Sequence, residues 1–193
     1  ACAATLKRTS MELGGNAPFI VFDDADIDAA VQGALISKYR NSGQTCVCTN
    51  RIFVQDSIHD VFVEKLVAAT AELKMGNGLD EGVQQGPLVN EKAVEDVDRL
   101  VRLSTDAGAQ VALGGARSDL GPCYYQPTVL TGVTSEMAVF RNEIFGPVAP
   151  VMSFADEAEA IALANDTEFG LASYFYTRNI GRVWRVSEAL DYG

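Results

Sequence analysis

Histidine is nearly absent from this sequence: His59 is the one such residue in 193. A Ser-His-Asp triad or a Cys-His protease would have to run through that single ring, and no G-x-S-x-G occurs to present a serine nucleophile. Zinc needs three or four Cys or His ligands at recognisable spacings. Of the four cysteines, Cys2 and Cys123 stand alone and Cys46 and Cys48 lie two apart, so no metal site is expected. His59 falls in the first turn of an expected helix and reads as a surface residue. Neither G-x-G-x-x-G nor G-x-x-x-x-G-K-[ST] is present, so this chain does not itself cradle a dinucleotide pyrophosphate or a triphosphate.

Basic residues are also scarce, with 15 Lys and Arg against 26 Asp and Glu and a net charge of −11. That balance argues against nucleic acid and anionic membranes as partners, because both would repel it. No apolar run reaches the roughly 18 residues a membrane helix needs. No charged segment leads into an apolar one at the start, as a secretory signal would. Two nearly adjacent cysteines do not form a disulfide scaffold, so a reducing, cytoplasmic compartment is the expectation. The chain opens on ACAATLKRTS and stops at EALDYG, just past a helical pattern. Both ends read as cuts through a longer protein.

What is present alternates strand and helix patterns. PFIVF (18–22) and RIFVQ (51–55) are short apolar runs rich in β-branched and aromatic residues, which read as buried strands. QVALGG (110–115), YYQPTVLTGV (124–133), PVAPVMSFA (147–155) and SYFYT (173–177) extend the series. Between them, 23–40, 57–74, 90–108, 156–167 and 179–190 carry apolar residues at helical spacing. The first of these helices is expected to begin among the aspartates at 23–26. The second is expected to start on a Ser57 cap, and the third on Asn90 with Gly108 as its stop. Strands alternating with helices predict one α/β domain, a mostly parallel sheet with helices on both faces. Such sheets usually hold their sites in loops at the carboxyl ends of the strands. Residues 41–50 lie in a helix-to-strand connection, so that rule does not place Cys46.

The stretch that asks for chemistry is NSGQTCVCTNR (41–51). With metal and histidine set aside, a cysteine nucleophile would need activation by backbone amides, a helix end or a cofactor's positive charge. Its base would then be a carboxylate. MELGGN (11–16) offers Glu12, followed by two glycines that allow close backbone approach. By itself Glu12 reads equally well as a solvated loop residue.

MELGGN, GQTCVCTNR and NEIFGP (142–147), in this order and at these separations, resemble the aldehyde dehydrogenase superfamily. QQGPLV (84–89) and NDTEFGLAS (165–173) extend the likeness over essentially the whole chain. ELGGNAPFIVFDDAD is most similar to the branch that oxidises succinate semialdehyde. The resemblance implies a catalytic domain of the aldehyde dehydrogenase type, using NAD or NADP. It makes Cys46 the nucleophile and Glu12 the general base that activates water. Glu143 would hold the nicotinamide ribose hydroxyls, with Phe145 packing beside it. Relatives that pass the acyl group to coenzyme A lack this glutamate, so a free acid is the implied product. A separate amino-terminal cofactor-binding domain and a carboxy-terminal segment would lie outside this chain, and the full-length enzyme would be a homo-oligomer.

Arg40, six residues before Cys46, is the arginine of the semialdehyde branch at a position where relatives for apolar aldehydes have an aromatic. It is the expected grip on a substrate carboxylate. A helix-end role for Arg40 stays open, and Lys38 and Arg51 remain candidates for the same grip. Cys48 has two readings as well: a structural residue, or a redox partner of Cys46, since an i, i+2 pair in a bent loop can meet disulfide geometry.

Overall fold

The computed structural model describes residues 2–193. Six strands form one sheet: β1 (Ala17–Val21), β2 (Thr49–Gln55), β3 (Gln110–Leu113), β4 (Thr128–Thr131), β5 (Val148–Phe154) and β6 (Tyr174–Tyr176). Their spatial order is β3-β4-β5-β2-β1-β6, and every neighbouring pair is parallel except β3–β4. The expected α/β class and mostly parallel sheet are therefore what the chain adopts.

The alternation of side chains along β1 and β2 explains why these segments read as continuous apolar runs. Phe19, Val21, Ile52 and Val54 point into one core layer. There they meet Ala30, Val31 and Ala34 of α1 (Ile27–Tyr39) and Phe62 and Leu66 of α2 (His59–Ala71). Ile20, Phe22 and Phe53 point into the other layer. That layer is closed by α3 (Glu91–Asp106), α4 (Ala138–Arg141), α5 (Glu157–Asn165) and α6 (Ile180–Ala189). Central strands with both faces covered leave no solvent side to mark with polar residues.

Local chemistry sets most helix ends. Asn90 Oδ1 accepts from Ala93 N at 2.8 Å, Asp156 Oδ1 from Glu159 N at 3.0 Å and Asn179 Oδ1 from Arg182 N at 3.1 Å. Gly108, at φ +110°, ends α3 in a backbone conformation that side chains disfavour. Two expected starts differ. Asp26, not Asp23, caps α1, accepting from Ala29 N at 3.1 Å. Ser57 lies in a 3₁₀ turn (Asp56–Ile58) and caps nothing, so α2 begins at His59.

Asp23 and Asp24 serve another purpose, at the carboxyl end of β1. Arg182 reaches Asp24 at 2.8 Å, Asp23 at 3.3 Å and Glu157 at 3.2 Å, and its guanidinium lies 4.5 Å from the centre of the Phe22 ring. Arg185 closes a bidentate pair on Glu157 at 2.6 and 2.7 Å. These ion pairs join the loops that follow β1, β5 and β6. No helix among the described residues is long and apolar enough to cross a membrane.

Candidate active site

The loops that gather the expected site residues lie at the amino ends of β1, β2, β5 and β6. This reverses the usual placement in parallel sheets. α1 ends in a left-handed bend, with Asn41, Ser42 and Gly43 at φ of +52°, +54° and +77°. The bend turns the chain back towards the sheet before Cys46. Ser42 Oγ and Gln44 tie it to the 86–89 segment: Ser42 donates to Gly86 O at 3.0 Å, and Gln44 Oε1 accepts from Val89 N at 2.8 Å. Strain held by this many bonds belongs to functional loops more often than to plain connections.

Three loops interlock through their glycines. A Cβ built on Gly15 would collide with the Cys46 carbonyl oxygen, and one on Gly43 with the Gly146 carbonyl. Gly15 N donates to Glu143 Oε1 at 2.9 Å, while Gly14 lies where a Cβ would crowd Glu143 Oε2 and the Phe169 ring at 3.0 Å each. The MELGGN, GQTCVC and NEIFGP segments thus meet as backbone against backbone.

Below them runs a buried polar network. Asn50 Nδ2 donates to Asn16 Oδ1 at 2.6 Å and to Asn142 O at 2.8 Å, and its Oδ1 accepts from Ile144 N at 3.0 Å. Asn16 Nδ2 donates to Phe140 O at 3.0 Å and Thr167 Oγ1 at 3.1 Å. Apart from Asn50 itself, which lies in β2, every partner of these two amides belongs to one of the four loops or to α4. Buried amides satisfied on both ends specify one arrangement.

Cys46 is half-buried at the surface of this assembly, and Cys48 is buried; both are free thiols. Cys48 Sγ lies 2.6 Å from Thr45 Oγ1 and 3.7 Å from the Arg40 carbonyl. Glu143 is half-buried; burial pushes its carboxyl pKa up, against the Gly15 N–H bond and the Lys38 charge. Phe145 holds φ +52° and is 42% exposed, an aromatic ring presented by a strained backbone. Glu12 lies on the exposed strap leading to β1 and makes no hydrogen bond or ion pair among the described residues. The structure therefore joins Glu143 to the Cys46 loop through Gly15 and leaves Glu12 untethered.

The three candidate cations separate. Arg40 is exposed, forms no ion pair among the described residues and borders a cavity of about 150 Å³ beside Thr45, Val47, Cys48 and Tyr174. Arg51 is 1% exposed, and its guanidinium is spent on the carbonyls of Asn16, Leu163 and Ala164 and on the Tyr192 hydroxyl. Lys38 is 1% exposed and lies on the same stripe as Ala30 and Ala34. Only Arg40 is free to meet a ligand.

Lys38 is the residue that sequence reasoning undervalued. A lysine four residues beyond an alanine on an apolar stripe was the available signal. Burial lowers its pKa to about 8, against the charges of Cys48 and Glu143, which raise it. Its native pKa is depressed below the ordinary 10.5, so between about pH 8 and 10.5 the unfolded chain binds the extra proton. Wild-type stability rises through that window. Lys38→Met is therefore expected to stabilise the fold, by up to about 3 kcal/mol below pH 8. The gain should shrink towards pH 10.5. Urea unfolding at pH 7 and pH 10 measures it, and equal gains at both would overturn the buried-charge account.

Comparison with known proteins agrees with this geometry. The model for "Aldehyde dehydrogenase family" matches residues 1–193. Glutarate-semialdehyde dehydrogenase of Pseudomonas aeruginosa is 58% identical over 192 residues, 100% of this chain and 40% of that protein. Succinate-semialdehyde dehydrogenase (NADP(+)) of Escherichia coli is 56% identical, again over 100% of this chain and 40% of its own length. The crystal structure of succinate-semialdehyde dehydrogenase from Burkholderia pseudomallei superposes with a TM-score of 0.97 at 57% identity, over 99% of this chain and 40% of that one. The chain thus spans about 40% of the length of the curated relatives it matches. With a whole-chain family match and interlocked MELGGN, GQTCVC and NEIFGP loops, the chain belongs to the aldehyde dehydrogenase family.

Proposed function

We propose that this chain is the catalytic domain of an NAD(P)-dependent succinate-semialdehyde dehydrogenase that releases the free acid. The observation that carries this reading is the contact of the Cys46 loop with Gly15, whose N–H holds Glu143. One loop supplies a thiol and the other an oriented carboxylate. In the proposed reaction the Cys46 thiolate attacks the aldehyde carbon, forming a C–S bond and a thiohemiacetal. A bound NAD(P)+ would supply the acceptor for the hydride that this carbon gives up. Cys46 is then left as a thioester, a good acyl donor. Glu12 removes a proton from water, the water attacks the thioester carbon, and the C–S bond breaks to return the Cys46 thiolate.

The residues suit a nicotinamide ribose. Gly15 occupies Glu143 Oε1, and Oε2 has no protein partner among the described residues. A half-buried carboxylate with one free oxygen accepts hydroxyl donors, and the exposed Phe145 ring gives an apolar neighbour. Glu143 and Phe145 would hold the group there.

Arg40 supports an anionic aldehyde, because it is exposed, unpaired and six residues from the nucleophile. A dehydrogenase for another carboxylated aldehyde, such as glutarate semialdehyde, is the second reading, and the same free guanidinium favours it. The test follows NAD(P)H formation by the full-length protein with succinate semialdehyde and with butanal, in wild type and Arg40→Ala. One charge-assisted contact is worth about 1.5–3 kcal/mol, so the preference for the acid aldehyde should fall roughly 10- to 150-fold. An unchanged preference would remove Arg40 from substrate recognition. Faster turnover of glutarate semialdehyde would move the assignment to the second reading.

A further inference from the structure

We propose that Tyr174 is a positioning residue for the nucleophile: its hydroxyl holds the Val47 carbonyl, and with it the turn on which Cys46 stands. The inference rests on the reading of Cys46 as the nucleophile. Tyr174 Oη donates to Val47 O at 2.7 Å, between residues 127 apart in the chain. Tyr174 begins β6, an edge strand, paired with Phe19 of β1 in register and with its ring centre 6.3 Å from that of Phe19. The turn it reaches leads into β2, on the far side of β1. Two inter-strand steps of about 4.8 Å each separate β6 from β2, a distance suited to a long side chain with its donor at the tip. Serine or threonine would fall short, and phenylalanine would bring no donor.

The turn itself is closed. Cys48 N donates to Thr45 O at 3.0 Å, and Cys48 Sγ meets Thr45 Oγ1 at 2.6 Å, with Cys46 and Val47 in the middle. The Cys46 carbonyl rests over Gly15, where no Cβ fits. The Val47–Cys48 peptide is held at its oxygen by Tyr174 and at its nitrogen by Thr45. The second peptide after the nucleophile is thereby held at both ends, and the first packs its carbonyl against Gly15. A reacting thiol gains from such fixing, since a displacement of about 1 Å is enough to cost 100-fold in rate. Burial pushes the ionisation of Tyr174 up, with the Cys48 and Cys46 charges adding to this and Arg40 opposing, so its hydroxyl stays a donor.

Tyr174→Phe in the full-length enzyme is the test, because the ring and its contact with Phe19 stay in place. Losing one neutral hydrogen bond is worth roughly 2- to 12-fold. The single-turnover rate of NAD(P)H formation should fall within that range. KM for succinate semialdehyde and for NAD(P)+ should stay within about twofold, and Tm should fall by no more than about 5 °C. Amide hydrogen exchange across 44–50 should quicken while the rest of the domain keeps its protection. An unchanged single-turnover rate with unchanged exchange would overturn the proposal. A raised KM at constant rate would overturn it too, making Tyr174 a substrate contact beside Arg40. A wild-type enzyme that makes no NAD(P)H from any aldehyde would instead overturn the function reading, and the exchange measurement would still decide whether Tyr174 holds the turn.

Discussion

Cys46→Ala in the full-length protein is expected to remove aldehyde oxidation almost completely, by at least about 10⁴-fold in kcat, the scale seen when an enzyme loses its nucleophile. Without the thiol no covalent acyl species forms, and neither half of the proposed reaction has a starting point. Cys48, two residues on, is the one sulfur close enough in sequence to be a substitute. It is 7% exposed, its Sγ faces Thr45 Oγ1 and the Arg40 carbonyl, and its backbone is pinned by the turn hydrogen bond. Moving that sulfur to the surface would break all three. Cys48→Ala should therefore keep most of the activity, while the Cys46→Ala protein should still fold, since Cys46 is only half-buried. A Cys46→Ala enzyme with more than about 1% of wild-type turnover, measured by steady-state NAD(P)H formation, would mean that another group carries the acyl chemistry.

The second large effect concerns stability. Arg51→Met should lower the unfolding free energy by about 3–5 kcal/mol, because it strands buried acceptors while keeping most of the side-chain volume. Five hydrogen bonds from this guanidinium are at stake: two to Asn16 O at 3.1 and 2.9 Å, one each to Leu163 O at 3.0 Å, Ala164 O at 2.8 Å and the Tyr192 hydroxyl at 2.7 Å. Leu163 and Ala164 lie in the last turn of α5, where carbonyls have no helical partner, so Arg51 caps that helix from within the sheet. Its plane also lies 4.8 Å from the Phe140 ring centre and 5.5 Å from that of Phe53. For a domain of this size the change corresponds to a Tm fall of roughly 10 °C. A fall under about 2 °C, followed by circular dichroism, would show that water satisfies those carbonyls instead. The same variant frees Asn16 and the strap behind Gly15, so the loss should reach the site as well.

The elements of this fold were legible because local signals and tertiary demands agree. PFIVF is apolar at every position and RIFVQ at its three central ones, and both faces of their strands are covered. Asn90 and Gly108 mark the ends of α3 by chemistry that needs no tertiary partner. Asp23 and Asp24 misled for the opposite reason: they look like helix-starting carboxylates, but Arg182 of α6 claims them both. The same limit applies to the site. Cys46, Glu12 and Glu143 stand out by their motifs, yet their contacts do not, since Gly15 meets Glu143 across 128 residues and Tyr174 meets Val47 across 127. No periodicity encodes which ends of the strands will converge. Lys38, Arg40 and Arg51 lie within thirteen positions of one another and look interchangeable on paper. Burial alone tells them apart, and burial is a property of the assembled sheet.

The sheet has two rims with unrelated duties, and this has a consequence for how such a chain diverges. At the amino rim, backbone contacts with no room for a methyl group leave little freedom to vary. At the carboxyl rim, Arg182 and Arg185 hold Asp23, Asp24 and Glu157 by ion pairs, which salt weakens where they meet solvent. Substitutions at that second rim bear on ion pairs that stand apart from the interlocked loops, so they are expected to change tolerance of salt and heat first. A lineage moving between habitats could then retune durability at one edge of the sheet and keep the closely packed backbone of the other.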